Sequence, residues 1–277
     1  MRNLLKNDLL RIIKDKTIIV VLIISVALAF SRPLFNALPG YIYNNLYPEN
    51  PINVRESAAA FSLFLDSFSI TGIIGLLAPI LISILISKDI SFGTIRNKII
   101  LGYSRTKIFV SYLLSSLICY LILMFGYSLL TLLFSFIYFN PFPVDINQGL
   151  YVAYMFLKMF FYILVYAFIL SFVMWLRISL KGNASTITLY IVFIFGLELL
   201  GALTHLISDL FIDLGGFGKF NIFTFLSNIN PIYYINNYLN ESKIYLSDIL
   251  WITIPTVLYT SFNVFMGTLI LNKKDIK

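Results

Sequence analysis

Three ionisable side chains share one face of a strongly apolar stretch near residue 200. Glu198, His205 and Asp209 are spaced by seven and then four residues, which places them within about 40° of one helical face. Two carboxylates and an imidazole in that pattern are able to relay protons or cations, or to form a hydrogen-bonded structural seam. We favour the seam, because a lone histidine close to an interface requires no mechanism. An enzyme built on these residues would need all three to converge on one closed polar pocket.

A fourth charge, Lys158, lies in the preceding apolar stretch. Counted from the ends of their stretches, Lys158 and Glu198 fall at similar depths at about 1.5 Å per residue. Charges at such positions are costly and are functional candidates. We predict an ion pair between Lys158 and Glu198; the alternative is that each side chain separately snorkels or lines a wet crevice.

The composition that surrounds these charges is that of a membrane protein. The 277 residues are 59% hydrophobic, 17% aromatic and only 12% charged, and their mean hydropathy is +0.89. A typical soluble domain has about 25% charged residues, so a large soluble enzyme domain is excluded. The net charge of +7 indicates membrane topology and lipid headgroups, and no nucleic-acid partner is expected. The single cysteine, Cys119, cannot form an intrachain disulfide.

The apolar runs predict an all-α integral membrane protein with six spans in one domain, residues 1–277. An amphipathic helix over 1–16 precedes them and is expected to lie in the cytoplasmic interface. The segment between spans 5 and 6 is too apolar for a loop and too interrupted to span, so we expect a re-entrant helical pair there. Ala27-Leu28-Ala29 resembles a signal-peptidase site, but the acid-containing start favours an uncleaved anchor. The predicted spans cover about 17–38, 68–86, 108–138, 149–176, 186–211 and 249–271.

The distribution of lysine and arginine predicts the orientation of the chain. Fifteen of the twenty fall in the N-terminal segment, the loops after spans 2 and 4, and the tail. Four fall in the opposite connections, and Lys158 lies inside span 4. Since basic residues favour the cytoplasmic side, both termini of this multi-pass protein are expected in the cytoplasm.

The common catalytic motifs are absent from the sequence. It has no phosphate-binding GxxxxGK[ST] loop, so the chain is not expected to hydrolyse ATP alone. It has no HExxH motif, its only histidine is His205, and it has no GxSxG elbow. We therefore predict no catalytic residues, no metal and no cofactor bound by this chain.

The loop after span 2 carries the strongest local pattern. Gly93-Thr94 offers a helix start, Gly102 a helix stop, and Ser104 a cap for the helix that leads into span 3. The short helix between the glycines has basic residues on one side and isoleucines on the other, which suits docking into a groove of a partner protein. The alternative is a solvated basic loop that only obeys the positive-inside rule.

At these residues the sequence resembles the membrane permeases of ABC-2 type transporters, bacterial exporters whose permease and ATPase are often separate chains. Their recurrent pattern is an acid four residues before Gly-Thr, a GTIRNK-like run, and then G-x-S-R. Here these positions are Asp89, then Gly93, Thr94, Ile95, Arg96, Asn97 and Lys98, and then Gly102, Tyr103, Ser104 and Arg105. The chain departs from the pattern in having aspartate where glutamate is usual. It also has Tyr112 where a lysine commonly follows the serine that Ser111 occupies.

The resemblance implies the ABC-2 permease fold in the bacterial plasma membrane. It implies that residues 93–105 form a coupling helix seated in an ATP-binding subunit, which holds the ATP and Mg²⁺, and that a second permease copy or a paralogue completes the pathway. Arg96 and Arg105 are the candidate ATPase contacts, while Gly93 and Gly102 shape the turn. The expected cargo is hydrophobic or amphipathic, with peptides first and lipid-like drugs or polysaccharide as alternatives. The rival interpretation is a docking or receptor subunit that transports nothing.

Overall fold

A computed structural model describes residues 2–143, 148–180, 182–213, 222–237 and 245–273. No β-strand forms within these ranges, where the only bridge joins Ala59 and Asn140. The helices are α1 (Arg2–Lys14), α2 (Lys16–Leu46), α3 (Ala60–Asp66), α4 (Ile73–Ser91), α5 (Thr94–Ile100), α6 (Arg105–Tyr138), α7 (Gln148–Ser179), α8 (Asn183–Asp213), α9 (Ile222–Asn228), α10 (Pro231–Asn237) and α11 (Leu246–Lys273).

Six of these helices are long and apolar enough to cross a membrane, as predicted, and they are α2, α4, α6, α7, α8 and α11. Two boundaries differ clearly from the prediction. The first helix continues beyond residue 38 to Leu46, because Pro33 and Pro39 lie inside it without ending it. The second begins at Ile73 rather than 68, since α3 ends at Asp66 and the chain turns before α4. The chain is therefore an all-α membrane protein with six candidate spans.

The six long helices are unequally buried by the rest of the chain. In α7, 72% of the most apolar window is buried, and in α2, α8 and α11 only 22% is. The central helix α7 thus packs against α11 and α4, and α2, α8 and α11 leave broad apolar faces exposed. A lipid environment satisfies such faces, because they have no polar groups that need water.

The bundle has two ends, which we name by the short helices that they carry. The α5 end holds α1, α5 and the start of α6, and the α3 end holds α3 and the start of α4. At the α3 end the chain after α6 fastens α3 in place. Ala60 donates its backbone N–H to the Asn140 carbonyl at 2.8 Å, and Phe61 donates to the Pro141 carbonyl at 3.1 Å.

The segment predicted as a re-entrant pair contains two short helices, α9 and α10. The helix α10 packs among α7, α8, α9 and α11, and its Ile232 and Ile235 are buried. A close approach to α8 makes this possible: a Cβ on Gly201 would lie 2.3 Å from Cγ of Tyr233. Residues 214–221 and 238–244 of this segment lie outside the described residues. So do five basic residues that entered the orientation prediction, and they are Lys181, Lys219, Lys243, Lys274 and Lys277.

Candidate functional site

Both ends of the short helix α5 are shaped by glycines, as predicted. Gly93 caps its start with φ +67°, and Gly102 follows its end with φ +86°. Gly102 donates to the Ile99 carbonyl at 2.9 Å and Tyr103 donates to the Lys98 carbonyl at 3.2 Å, the pair of bonds that defines a Schellman stop. The side chain of Ser104 then accepts from the Lys107 backbone N–H at 3.4 Å and caps α6.

The inner face of α5 is fastened by a buried ion pair. Lys98 Nζ lies 2.5 Å from Asp8 Oδ1 of α1, and both side chains are less than 10% exposed. Ser111 of α6 donates to the other Asp8 oxygen at 2.9 Å, and the Lys98 ammonium lies 3.9 Å from the centre of the Tyr112 ring. Burial lowers the pKa of Lys98, although Asp8 works in the opposite direction. One carboxylate therefore joins α1, α5 and α6.

Two further ion pairs tie α1 and the start of α2 to α4. Arg11 donates to Asp89, which is 4% exposed. Lys88 donates to both oxygens of Asp15 at 2.8 Å. Burial raises the pKa of the Asp15 carboxylate, but hydrogen bonds from Lys88 and Thr17 outweigh it and lower the pKa to about 2. The three ion pairs and the Ser111 bond hold α1, the start of α2, α4, α5 and α6 together, and we call this assembly the α5 cradle.

The opposite side of α5, together with the residues that flank the helix, is exposed and carries three apolar side chains. Phe92, Ile100 and Leu101 are 78%, 72% and 75% exposed. Arg96 and Asn97 lie exposed between them. We call this surface, from Phe92 to Leu101, the α5 tip.

The structure corrects the predicted faces of α5. The isoleucines do not share a side, because Ile95 is buried in the core and Ile100 is exposed. Lys98 does not lie on a solvent face with Arg96, because positions 95, 98 and 99 form the inner face at three- and four-residue spacing. The cradle, rather than polarity alone, decides which side faces inward.

Arg105 is bonded within the chain, and its predicted contact with an ATP-binding subunit stays a prediction. Its guanidinium donates to the carbonyls of Leu271 and, at 2.7 Å, Asn272 in the last turn of α11. A cation at that position satisfies carbonyls that have no partner within their helix. The structure thus gives Arg105 a role in joining α6 to α11.

A second candidate site is a cavity of about 830 Å³ at the α3 end of the bundle. It lies between α2, α7, α8 and α10, and we call it the α3-end cavity. Four charged side chains line it, and they are Arg32, Asp66, Lys158 and Glu198. Lys158 and Glu198 therefore face the same space, as their predicted depths required.

The predicted ion pair between Lys158 and Glu198 is not among the ion pairs of the described residues. Glu198 accepts instead from Asn236 Nδ2 of α10 at 2.6 Å. The Lys158 ammonium lies 5.3 Å from the centre of the Tyr154 ring. The sequence could not predict Asn236 as the partner of Glu198, because Asn236 belongs to a helix whose position depends on the whole bundle.

His205 and Asp209 form a separate contact on α8. His205 Nδ1 lies 2.9 Å from Asp209 Oδ2, and the imidazole packs edge-on against Tyr233 of α10 at 6.2 Å. These two residues line a different and more open cavity from the one that Glu198 lines. The three side chains of the predicted stripe thus all face α10 or its surroundings without converging on one pocket. This geometry agrees with a structural seam.

The sequence reasoning did not find the partners that complete both sites. Asp8 and Arg11 belong to the segment 1–16, for which only an amphipathic interfacial helix was predicted. The available signal was two acids, Asp8 and Asp15, within a segment whose other charged residues are all basic. For the cavity, Arg32 and Asp66 were not predicted as site residues, and nothing in their local sequence shows that they line one space.

Two comparisons with known proteins found no match. No protein-family model matches the chain, and no curated protein matches it. Among the described residues, no group of three or more histidine, cysteine, aspartate or glutamate side chains is arranged to hold a metal ion. The fold and the two sites define an all-α membrane protein with a braced apolar tip at one end and a charged cavity at the other.

Proposed function

We propose that this chain is the membrane-spanning permease subunit of an ATP-driven exporter of the ABC-2 type, and that it docks a separate ATP-binding subunit through the α5 tip. The observation that carries the proposal is the contrast between the two faces of α5. One face is held against the protein by the buried pair of Lys98 and Asp8. On the opposite side, the α5 tip presents three exposed apolar side chains, one from the helix and two from the residues that flank it, beside Arg96. An exposed apolar patch rimmed by polar residues is typical of a protein interface.

The α5 cradle supplies what such a coupling element needs mechanically. A displacement of the tip reaches the spans only if the tip moves together with them. Asp8 joins α5 to α1 and α6, and the pair of Arg11 and Asp89 joins α1 to the end of α4. In the proposed exporter, closure of the ATP-binding subunits around ATP and Mg²⁺ pushes on the tip, and the cradle carries that push into α4 and α6.

The orientation and assembly belong to the same proposal. The α5 end faces the cytoplasm of a bacterial cell, because most lysines and arginines of the chain fall there. Helix α1 lies in the membrane interface, and α9 with α10 forms the re-entrant pair. A second copy or a paralogue completes the pathway by covering apolar faces that α2 and α8 leave exposed.

The cargo that the proposal favours is hydrophobic or amphipathic. The α3-end cavity combines four charges with apolar walls from Leu28, Phe35 and Phe195. An amphipathic peptide or a lipid-like molecule fits such a lining better than a polysaccharide, which offers hydroxyl groups and no apolar segment.

The experiment compares a tip variant with a matched control. Leu101→Asp places a charge in the α5 tip, and Ile52→Asp makes the same change at a 47% exposed position in the connection before α3. Each tagged chain is purified from its native membranes under mild detergent, and the bound proteins and vanadate-sensitive ATP hydrolysis of the eluate are measured.

We expect wild type and Ile52→Asp to carry an ATP-binding protein and its hydrolysis activity, and Leu101→Asp to lose at least about 90% of both. A loss of one central apolar contact and the introduction of an unpaired charge together justify an effect of that size. The absence of any ATP-binding protein from the wild-type eluate would refute the proposal. Equal retention by Leu101→Asp and wild type would refute the role of the tip.

A docking subunit that transports nothing is the second candidate, because the exposed tip by itself requires only a partner. The two are separated by adding cargo to the reconstituted complex. An exporter is expected to change its ATP hydrolysis rate and move the cargo across the vesicle membrane, whereas a docking subunit does neither.

A further inference from the structure

A further cavity lies between α7, α8 and α11, beside α9 and the start of α10. Its volume is about 450 Å³, within the roughly 300–1,000 Å³ that is typical of small-molecule sites. No charged side chain lines it in the part of the chain that the structure describes. We call it the aromatic cavity, because six aromatic side chains line it, and they are Phe168, Phe172, Trp175, Phe193, Tyr259 and Phe262.

The rings of this wall already pack against one another across the helices. Phe172 of α7 stacks on Phe193 of α8 with ring centres 4.0 Å apart. Phe168 of α7 and Tyr259 of α11 lie 5.4 Å apart in a tilted arrangement. Because rings attract further rings in offset or edge-on positions, this wall suits a flat ring system better than a flexible acyl chain.

Most polar side chains on the wall have partners within the chain. Tyr259 donates to a carbonyl before α10 at 3.4 Å, and Thr204 donates to two carbonyls of its own helix. Asn230 donates to a carbonyl of α8 at 2.6 Å and accepts from a backbone N–H of α10 at 3.3 Å. The indole nitrogen of Trp175 has no partner among the described residues, but that atom is fully buried.

Asn263 of α11 differs from these side chains. It lines the cavity, is 3% exposed, and donates from Nδ2 to Ser171 Oγ of α7 at 3.1 Å. Ser171 uses its own proton on the Phe168 carbonyl at 2.7 Å, so its oxygen accepts from Asn263, and this fixes which end of the amide is the nitrogen. No bond to the amide oxygen is among the hydrogen bonds of the described residues. A polar atom left unpaired in apolar surroundings is costly, and a ligand that donates one hydrogen bond removes that cost.

The aromatic cavity does not use the face of α8 that a second copy would cover. The α8 residues that line the cavity recur every three or four positions and form one face, and they are Phe193, Leu197, Gly201 and Thr204. The strongly exposed residues of α8 form another face, and they include Val192, Phe195, Leu199 and Leu203. Leu200 lies at the edge between the two faces. Leu226 of α9 and Phe262 of α11 line the cavity and are exposed, so a ligand dissolved in the bilayer has access between α9 and α11.

We propose that the aromatic cavity binds an uncharged aromatic small molecule that donates one hydrogen bond to the Asn263 amide oxygen. The rings select a flat apolar body, and the amide oxygen selects an O–H or N–H group on it. An ion is disfavoured, since no charged side chain among the described lining residues would compensate it. An acyl chain satisfies the apolar wall but leaves the oxygen unpaired. The inference goes beyond the proposed function, because binding requires neither an ATP-binding subunit nor transport.

The test uses three probes that share one aromatic skeleton. N-phenylnaphthylamine is uncharged and has one N–H group, its N-methyl derivative lacks the N–H, and its sulfonated derivative, anilinonaphthalene sulfonate, adds a negative charge. Each uncharged probe is titrated into the purified full chain in detergent, and energy transfer from tryptophan to the probe is measured. Trp175 lines the cavity, and only the saturable part of the signal is counted, because partition into detergent does not saturate.

We expect the wild type to bind N-phenylnaphthylamine about tenfold more tightly than its N-methyl derivative, as one hydrogen bond to a buried acceptor allows. Asn263→Leu keeps the approximate size of the side chain, and Ser171 keeps its bond to the Phe168 carbonyl. This variant should therefore fold and bind the two probes alike. Asn36→Leu makes the same change at an exposed position of α2, and this matched control should keep the wild-type preference.

Competitors distinguish the proposed ligand from an anion and from a lipid. Anilinonaphthalene sulfonate and methyl oleate, an uncharged acyl ester without a donor, should each fail to displace N-phenylnaphthylamine at equal concentration. Equal affinity of the wild type for the two uncharged probes would overturn the inference, and so would displacement by either competitor. A preference that persists in Asn263→Leu or disappears in Asn36→Leu would overturn it as well. A failure to find an ATP-binding partner would not alter these affinities, so the inference and the proposed function fail separately.

Discussion

Removing the Lys98 ammonium tests whether the α5 cradle holds the coupling helix. Lys98→Met keeps most of the apolar stem and deletes the charge that lies 2.5 Å from Asp8 Oδ1. Asp8 is 2% exposed, so water cannot readily replace the lost partner. The substitution therefore leaves a buried carboxylate with fewer compensating groups.

The structure sets the magnitude of this effect. Deleting one member of a buried ion pair destabilises a protein by about 3–5 kcal/mol. Asp8 keeps the 2.9 Å bond from Ser111, and Arg11 Nη2 remains 3.9 Å from its carboxylate. Because these two contacts remain, we expect the free energy of unfolding to fall by about 3 kcal/mol, the low end of that range. At roughly 2–3 °C per kcal/mol for a chain of this size, the unfolding temperature should fall by about 6–9 °C.

The assay is thermal unfolding of the purified chain in detergent, followed by the loss of its monodisperse peak. Lys14→Met, an exposed lysine on the same cradle helix, is the control and should stay within about 0.5 kcal/mol of wild type. The double variant Asp8→Asn with Lys98→Met should recover most of the lost stability, because it removes both members of this buried ion pair and leaves neither charge without its partner. An unchanged unfolding temperature in Lys98→Met, or a double variant as unstable as the sum of its single changes, would refute the reasoning.

Two further predictions concern the joints between helices. The pKa of Asp15 is lowered from 3.8 to about 2 in the folded chain, so its contribution to stability should be complete above about pH 4 and should disappear as the pH falls towards 2. Unfolding of wild type and of Asp15→Asn at pH 5, 4, 3 and 2 measures this contribution as the stability advantage of wild type. An advantage that grows on acidification would contradict the prediction. Gly201→Ala places a Cβ at 2.3 Å from the Tyr233 ring and should lower the free energy of unfolding by about 1–3 kcal/mol through overpacking. The control is Gly196→Ala on the same helix, whose Cβ meets nothing within 4 Å, so it should be neutral or slightly stabilising. Equal unfolding temperatures for the two variants would show that α10 does not depend on this close approach.

Much of the helix layout could be predicted, because it depends on local patterns. Long apolar runs require helices wherever the backbone is removed from water, and the glycines at 93 and 102 specify the bounds of α5 through their positive φ values. The predicted start of the second span, at residue 68, was wrong because that prediction also depended on the local apolar pattern. Phe68 and Ile70 are apolar and fully buried, but they are buried in the turn before α4 rather than within a membrane-crossing helix.

The partners within each site could not be predicted in the same way. Asp8 and Lys98 lie 90 residues apart in the chain, and nothing in the local sequence of either residue identifies the other. The same holds for Glu198, whose predicted partner was Lys158 and whose observed partner is Asn236. Equal depth in the bundle permits many pairings, and the rotation of each helix about its axis selects one of them.

The sequence by itself therefore determined the class of this protein, its number of apolar helices and the ends of its short α5 helix. These properties follow from hydropathy, length and backbone geometry, which act over a few consecutive residues. The tertiary structure decided which face of α5 is bound and which is exposed, and which charges meet in the α3-end cavity. Those outcomes depend on the packing of helices that are distant in sequence, because an ion pair forms only where two side chains are brought within contact distance.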